Sequence, residues 1–195
     1  ESTPKSVFYN MPEIKSVIVQ EGITKLGNAL FYRCQNMQTI SLPSTLTELG
    51  YRIFAQGSGG FQSYGGLTEL TLPAGIQKLG GNALRQTNIT ELVIPARVSV
   101  IEDYLLSTCT KLKTVRAESS VLGSFMFVQC TALESLTIST NCKTFEQWNA
   151  ITKPTNWMTS DAKANYHNSY LQRINCVDGA FAWDSEDLDW KEETA

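Results

Sequence analysis

Apolar and polar residues along the chain follow a frame that repeats six times. In LTELTL, residues 67–72, the alternation places Leu70 and Leu72 on one face and predicts a half-buried strand. A Pro follows, and a second apolar pair then ends in Leu-Gly. The frame starts at positions separated by 23, 30, 22, 23 and 21 residues, namely Ile14, Met37, Leu67, Ile89, Leu112 and Leu133.

The spacing of the frame predicts stacked coils. Strands at such regular intervals do not form hairpins with their neighbours, so we expect one coil per repeat and parallel strands. Pro43, Pro73 and Pro95 lack an N–H and end the ladder. Glycines recur where each coil turns, at Gly27, Gly50, Gly80 and Gly123. A bulky residue then returns to the core, at Phe31, Phe54, Leu84, Leu106 and Phe127.

One coil carries an insertion. Thirteen residues separate Phe54 from Leu67, whereas six separate Phe31 from Met37. The seven extra residues lie within 57–66, GSGGFQSYGG, which holds five Gly plus Phe61 and Tyr64. Two rings on a Gly-flanked loop either pack back onto the solenoid edge or contact a partner. We therefore include Phe61 and Tyr64 among the candidate binding residues.

The frame resembles the leucine-rich repeats of BspA-like bacterial surface proteins. Those repeats read L-x-x-I-x-I-P, then an apolar pair, I-G and A-F-x-x-C. The resemblance covers about residues 14–142 and is most specific in the second to fourth repeats. It departs where Gln20, Glu118 and Ser139 stand in place of the Pro. The resemblance implies a curved solenoid, exported to the cell surface, that acts by binding and not by catalysis.

The expected fold is an α/β repeat, a right-handed leucine-rich-repeat solenoid of about six coils with parallel strands. It spans residues 1–142, with a short N-terminal cap or cut edge at 1–13. Residues 143–195 belong to the same domain and are expected to form a small helix–hairpin cap and an acidic tail. TFEQWNAI, 144–151, and SDAKANYHNSYL, 160–171, predict short helices. Asp178 and Gly179 predict a two-residue hairpin turn.

Charge and composition narrow the function. The 195 residues carry a net charge of -3, which argues against a nucleic-acid-binding surface. No apolar run approaches the roughly 18 residues that span a bilayer. His167 is the single histidine, so zinc motifs that need two are excluded. With no catalytic constellation in the sequence, we expect no enzyme activity, no metal and no cofactor.

Five cysteines, an odd number, argue against a zinc or redox motif. Cys34, Cys109 and Cys130 share one repeat position, three residues after the core aromatic or Leu. This predicts small apolar side chains in a buried ladder. Alternatively, Cys109 and Cys130 form a disulfide, since neighbouring strands lie about 4.8 Å apart. Cys142 with Cys176 is a looser pairing of the same kind.

The outward positions of the strands form the expected concave face. Seven of the twelve are Ser or Thr and none is aromatic, which is poor in the residues that dominate tight protein binding. Hydroxyl-bearing residues also suit exposed strands. We include three charged members, Glu69, Glu91 and Arg116, among the candidate binding residues. The twelve are Ser16, Ile18, Thr39, Ser41, Glu69, Thr71, Glu91, Val93, Thr114, Arg116, Ser135 and Thr137.

The sequence therefore predicts a non-catalytic protein-interaction or adhesion module on a bacterial cell surface, or secreted. We expect the partner to be a protein or glycan and not a nucleic acid. We also expect no membrane-spanning segment in the chain. Because the chain begins at Glu1 without Met, we expect a signal segment to have been removed. One alternative is a carbohydrate-binding module that uses Trp148, Trp157, Trp183 or Trp190 as a platform. Another is a structural spacer in a larger surface protein.

Overall fold

The protein is a solenoid with parallel strands, seen in a computed structural model that describes residues 6–57, 65–118, 121–138, 150, 173–176, 179–184 and 189–193. It makes about five turns, fewer than the six coils expected, because six frame starts bound five complete turns. The described strands are β1 (Ser16–Ile18), β2 (Lys25–Leu26), β3 (Thr39–Ser41), β4 (Glu48–Leu49), β5 (Lys78–Leu79), β6 (Glu91–Ile94), β7 (Thr114–Ala117), β8 (Ser135–Ile138), β9 (Arg173–Cys176), β10 (Gly179–Asp184) and β11 (Asp189–Glu192).

The strands form three sheets, and the predicted parallel stacking is confirmed. β1 pairs with β3, and β2, β4 and β5 form a second parallel ladder around the coil. β6 to β9 run parallel in one larger sheet, with Leu92 beside Val115 and Val115 beside Leu136. The frame's apolar positions therefore align from turn to turn, which buries them in one continuous core.

The strand predicted in LTELTL does not form. Leu70 and Leu72 are buried while Glu69 and Thr71 are exposed, so the alternation of faces is as expected. However, residues 69–72 join no sheet, and β3 and β6 do not pair with each other either. The sheet on this face is interrupted at the turn that carries the insertion.

A stack of aromatic rings runs along the core at one end of the solenoid. Phe8 stacks on Phe31 and Phe31 on Phe54, with ring centroids 5.4 and 6.0 Å apart. The backbone N–H of Asn10 donates to the Tyr32 carbonyl at 2.8 Å. Residues 6–10 thus repeat the positions of 29–33 one turn earlier. The described part of the expected N-terminal cap is therefore half a turn of the solenoid itself.

A further ladder, absent from the predicted elements, holds the convex side together. Non-glycine residues here have φ between 54° and 64°, a region that such residues rarely adopt. In eight of the ten residues, all except Phe125 and Gln129, the N–H donates to a carbonyl of the next turn, as from Ala29 to Tyr51 at 2.8 Å and from Gln86 to Ser107 at 3.0 Å. These inter-turn hydrogen bonds offset the cost of the left-handed backbone. The residues are Asn10, Ala29, Arg33, Arg52, Asn82, Gln86, Tyr104, Thr108, Phe125 and Gln129.

At the C-terminal side, β10 pairs antiparallel with both β9 and β11. Gly179, expected in a tight turn, is the first residue of β10 and lies opposite Cys176. The predicted helices at 144–151 and 160–171 lie outside the described residues, apart from position 150, as do His167, Cys142, Trp148 and Trp157.

Candidate functional site

The outward positions of the strands line one face of the solenoid, which we call the concave face. Ile18 and Val93 are 74% and 57% exposed there, so the predicted outward positions hold for both. On this face Glu91 lies opposite Thr114, and Arg116 lies opposite Val93. Glu91 and Arg116 are therefore on neighbouring strands but two residues out of step. Arg116 instead pairs with Glu118, with Nη2 and Oε1 3.3 Å apart.

The interruption of the sheet opens a cleft on this face. The cleft has a volume of about 390 Å³ and is lined by residues 39–42 on one side and by residues 69–71 and Pro73 on the other. Such a volume lies within the range that small-ligand pockets occupy, about 300 to 1,000 Å³. Three hydroxyl groups and one carboxylate border it, from Thr39, Ser41, Thr71 and Glu69.

The cleft reaches down to the core. The inward side chains of Ile40 and Leu70, which line the cleft, each retain 9% exposure. Their equivalents in the regular turns, Leu92, Val115 and Leu136, retain 2%, 2% and 0%. The inward side chains beside the cleft are therefore more exposed than those of β6 to β8. The cleft therefore combines a polar rim with an apolar floor.

The break lies in the segment that follows the insertion. Before the gap, the Thr68 N–H still donates to the Gln38 carbonyl at 3.1 Å; after it, the Gln77 N–H donates to the Thr47 carbonyl at 2.9 Å. Between these anchors, no described backbone hydrogen bond joins residues 69–73 to residues 39–42. Gly65 and Gly66 have φ of 107° and 74° as the chain returns from the insertion. The segment is thus held at both ends and separated from β3 in the middle.

The candidate residues from the sequence are distributed unevenly around this cleft. Glu69 borders it, and Glu91 occupies the equivalent position of the next turn. Arg116 lies one strand further along, and Phe61 and Tyr64 lie outside the described residues. The sequence reasoning placed Thr39, Ser41 and Thr71 on the face but did not single them out. The signal that could have found them is the 30-residue interval, which marks that turn as irregular.

The cysteine ladder is buried, as predicted. Cys34, Cys109 and Cys130 are free and 0% exposed, so Cys109 and Cys130 do not form the alternative disulfide. The Cys109 thiol donates to the Leu84 carbonyl and the Cys130 thiol to the Leu106 carbonyl, both at 3.1 Å. Burial raises the pKa of Cys109 to about 11 and raises that of Cys130 well above its ordinary value. These thiols are structural, and their raised pKa makes them poor nucleophiles.

The two thiols predict a loss of stability in alkali. A thiol that ionises near 9.0 in the unfolded chain but near 11 at Cys109 keeps its proton longer in the folded state. The free energy of unfolding should therefore be unaffected below pH 9 and fall between pH 9 and 11, by about 3 kcal/mol for Cys109 alone. Urea unfolding at pH 8 and pH 11 measures this fall.

The matched control is the double variant Cys109→Ser and Cys130→Ser. A hydroxyl already serves this ladder, because the Thr87 hydroxyl donates to the Leu84 carbonyl at 2.8 Å. The variant should lose less stability between pH 8 and 11 than the parent chain. An equal loss in both chains would refute the assignment of the alkaline effect to these thiols.

In the described part of the chain, no three His, Cys, Asp or Glu side chains are grouped as a metal site would require. No helix among the described residues has the length and hydropathy of a membrane span.

Comparison with known families identifies the repeat. The BspA type leucine rich repeat region matches residues 1–59 and 57–154, in six copies. The chain belongs to the BspA-type leucine-rich-repeat family. The match includes the region before Ile14, consistent with the half turn that residues 6–10 form. A comparison with curated proteins finds no match.

Solved structures of leucine-rich repeat proteins match the chain, and one of them resembles it in fold. A leucine-rich repeat protein from Bacteroides ovatus is 21% identical with a TM-score of 0.59, over 71% of this chain and 38% of that one. The chain thus spans well under half of that protein. The T. pallidum leucine rich repeat protein is 22% identical, with a TM-score of 0.49 over 66% and 69% of the two chains. A leucine rich cell surface protein from Faecalibacterium prausnitzii is 17% identical, with a TM-score of 0.39 over 75% and 65%.

Proposed function

We propose that the chain is a non-catalytic interaction module, exposed on a bacterial cell surface or secreted, whose concave face and insertion bind a partner protein. The observation that carries this proposal is the cleft between β3 and residues 69–73, a polar-rimmed recess on the concave face. Membership of a family of surface repeats supports the location. In this proposal Glu69, Glu91 and Arg116 contribute charge, and Phe61 and Tyr64 contribute contact area from the adjacent loop.

The architecture suits binding better than chemistry. A solenoid presents an extended face on which many weak contacts act together. The described face offers hydroxyls and separated charges, and the thiols of Cys109 and Cys130, which are buried in the core, have raised pKa values. In the same proposal, residues 143–195 cap the C-terminal end of the core, where β9 continues the sheet beyond β8.

An array of extracellular-matrix proteins and glycans tests the proposal, with the intact chain and the double variant Phe61→Ala and Tyr64→Ala side by side. We expect binding to a protein on the array, weakened at least tenfold in the variant, since aromatic anchors commonly carry about 2 kcal/mol or more at an interface. Binding that the variant retains would move the site to the strand face. No binding to any protein would contradict the proposal and favour the spacer.

A glycan-binding module is the second candidate. Strand register favours it, since β10 and β11 place Trp183 opposite Trp190. Glycan hits on the array that survive the Phe61 and Tyr64 changes but are lost on Trp183→Ala would select this function.

A further inference from the structure

The broken ladder leaves main-chain hydrogen-bonding groups directed at the cleft. In the regular turns, alternate residues of a strand bond to the preceding and the following turn. The Glu118 N–H thus donates to the Ile94 carbonyl at 3.3 Å and the Val19 N–H to the Ser41 carbonyl at 3.0 Å. The same register directs the peptide groups of Ile40 forward, into the cleft.

The opposite wall carries the complementary groups. On that wall, residues 69–72 join no sheet, and no described backbone hydrogen bond involves the peptide groups of Glu69 or Thr71. No described backbone hydrogen bond joins Ile40 to Glu69 or Thr71 across the gap. Both walls therefore present donors and acceptors that a strand-like ligand could use.

The charge near the cleft indicates which kind of ligand would bind there. Glu69 borders the cleft, and Glu91 stands at the equivalent place one turn on. Within the described ranges, neither carboxylate is part of an ion pair, and Arg116, on the next strand, is paired with Glu118. Glu69, the carboxylate that lines the cleft, is thus not neutralised, while Ile40 and Leu70 at the floor accept apolar groups.

We propose that this cleft binds an extended peptide segment of the partner protein in which basic and small apolar residues alternate. The inference rests on the proposed function, and it adds the chemistry of the partner segment. Alternation places the basic side chains outward beside Glu69 and Glu91 and the apolar side chains over the floor. The peptide backbone bonds to Ile40, Glu69 or Thr71. A carbohydrate does not alternate basic and apolar side chains in this way, and glycan binding is a separate outcome of the array experiment.

The probe is the fluorescently labelled, end-blocked peptide Lys-Val-Lys-Val-Lys. Its binding to the intact chain is measured as the change in its fluorescence anisotropy. We expect saturable binding that is at least tenfold tighter than for Glu-Val-Glu-Val-Glu, because the rim is acidic.

Two further peptides are N-methylated, one at both Val and one at the three Lys. At least one should bind about tenfold more weakly, because it loses main-chain donors. If both keep the parent affinity within about twofold, strand-like pairing is refuted.

Two single-residue variants locate the peptide. Glu69→Gln should weaken binding of the Lys peptide by about fivefold, the size typical of one exposed charge pair. Glu102→Gln removes the same charge from an exposed residue outside the cleft lining and should leave the affinity unchanged. Equal effects of the two changes would show attraction by net charge alone and would overturn the proposal.

Deleting residues 58–64 tests the origin of the cleft. The deletion restores the 23-residue spacing between the frames at Met37 and Leu67. Residues 69–72 should then pair with β3, the cleft should close, and the Lys peptide should no longer bind. The variant Ser63→Ala keeps the length of the insertion and should bind the peptide normally. A deletion variant that folds and binds with the parent affinity would contradict the proposal.

The results of the array experiment and of the peptide experiment can be told apart. In one outcome, a protein on the array binds the intact chain, the Glu69→Gln variant and the deletion variant equally well, and the Lys peptide does not bind. This outcome refutes the inference about the cleft but agrees with the interaction module. Peptide binding at the cleft without any protein partner on the array supports this inference, while the array result still counts against the proposed function. Absence of both refutes both proposals.

Discussion

Replacing Gly80 by Ala is expected to destabilise the solenoid by about 3 kcal/mol, the upper end of the usual cost of overpacking. A Cβ at this position would lie 2.5 Å from the Tyr51 nitrogen and 2.7 Å from the Gly50 carbonyl carbon. Both are backbone atoms of the preceding turn, so no side-chain rotation relieves the clash. Adjacent turns would have to separate, which weakens the ladder of β4 and β5.

Gly27 supplies the matched control for this change. It holds the same repeat position, but a Cβ there meets no atom within 4 Å. Gly27→Ala should therefore be neutral or stabilise slightly, because Ala restricts the unfolded chain more than Gly does. Urea unfolding of the two variants, followed by circular dichroism, measures the difference. Equal losses at both positions would show that close contact between turns is not what the glycines provide.

Phe54→Ala is expected to cost about 4 kcal/mol, as for other fully buried Phe residues. The Phe54 ring is 0% exposed and stacks on Phe31 at 6.0 Å, so its removal leaves a cavity and an unstacked neighbour. Because each turn contacts only its neighbours, the loss should centre on the turns beside the insertion. Denaturant unfolding of the variant measures the loss.

Phe8 is the matched control for Phe54. It belongs to the same stack but is 38% exposed and has a described ring partner, Phe31, on one side. Phe8→Ala should cost about half as much or less, since a smaller area leaves water on folding. A Phe8 loss equal to that of Phe54 would contradict the description of residues 6–10 as a terminal half turn.

The positions of the core could be predicted from the sequence because they are set by a local period. Phe31, Phe54 and Phe127 follow from a bulky residue four or five positions after the Gly, and all are buried. Parallel stacking follows from the length of the interval alone. The half turn at 6–10 carried a readable signal as well, since FYN at 8–10 precedes FYR at 31–33 by 23 residues.

The break at 69–72 could not be read from the strand pattern. LTELTL has a clear alternation and its side chains face as the alternation predicts, yet pairing depends on where β3 lies. Strand propensity describes fit to a pleated surface and does not fix the neighbour. The convex ladder was hidden for a different reason: its left-handed positions hold residues such as Arg52, Gln86 and Thr108, which give no local sign of positive φ.

The central claim is that the insertion interrupts the strand ladder and thereby makes a binding surface. Amide hydrogen exchange of the intact chain, resolved by residue, tests it most directly. The amides of Glu69 and Thr71 should exchange on the order of 100-fold faster than those of Val115 and Arg116, which lie within a continuous sheet. Exchange at Glu69 and Thr71 as slow as in β7 would mean an unbroken ladder and no cleft, and would contradict the account.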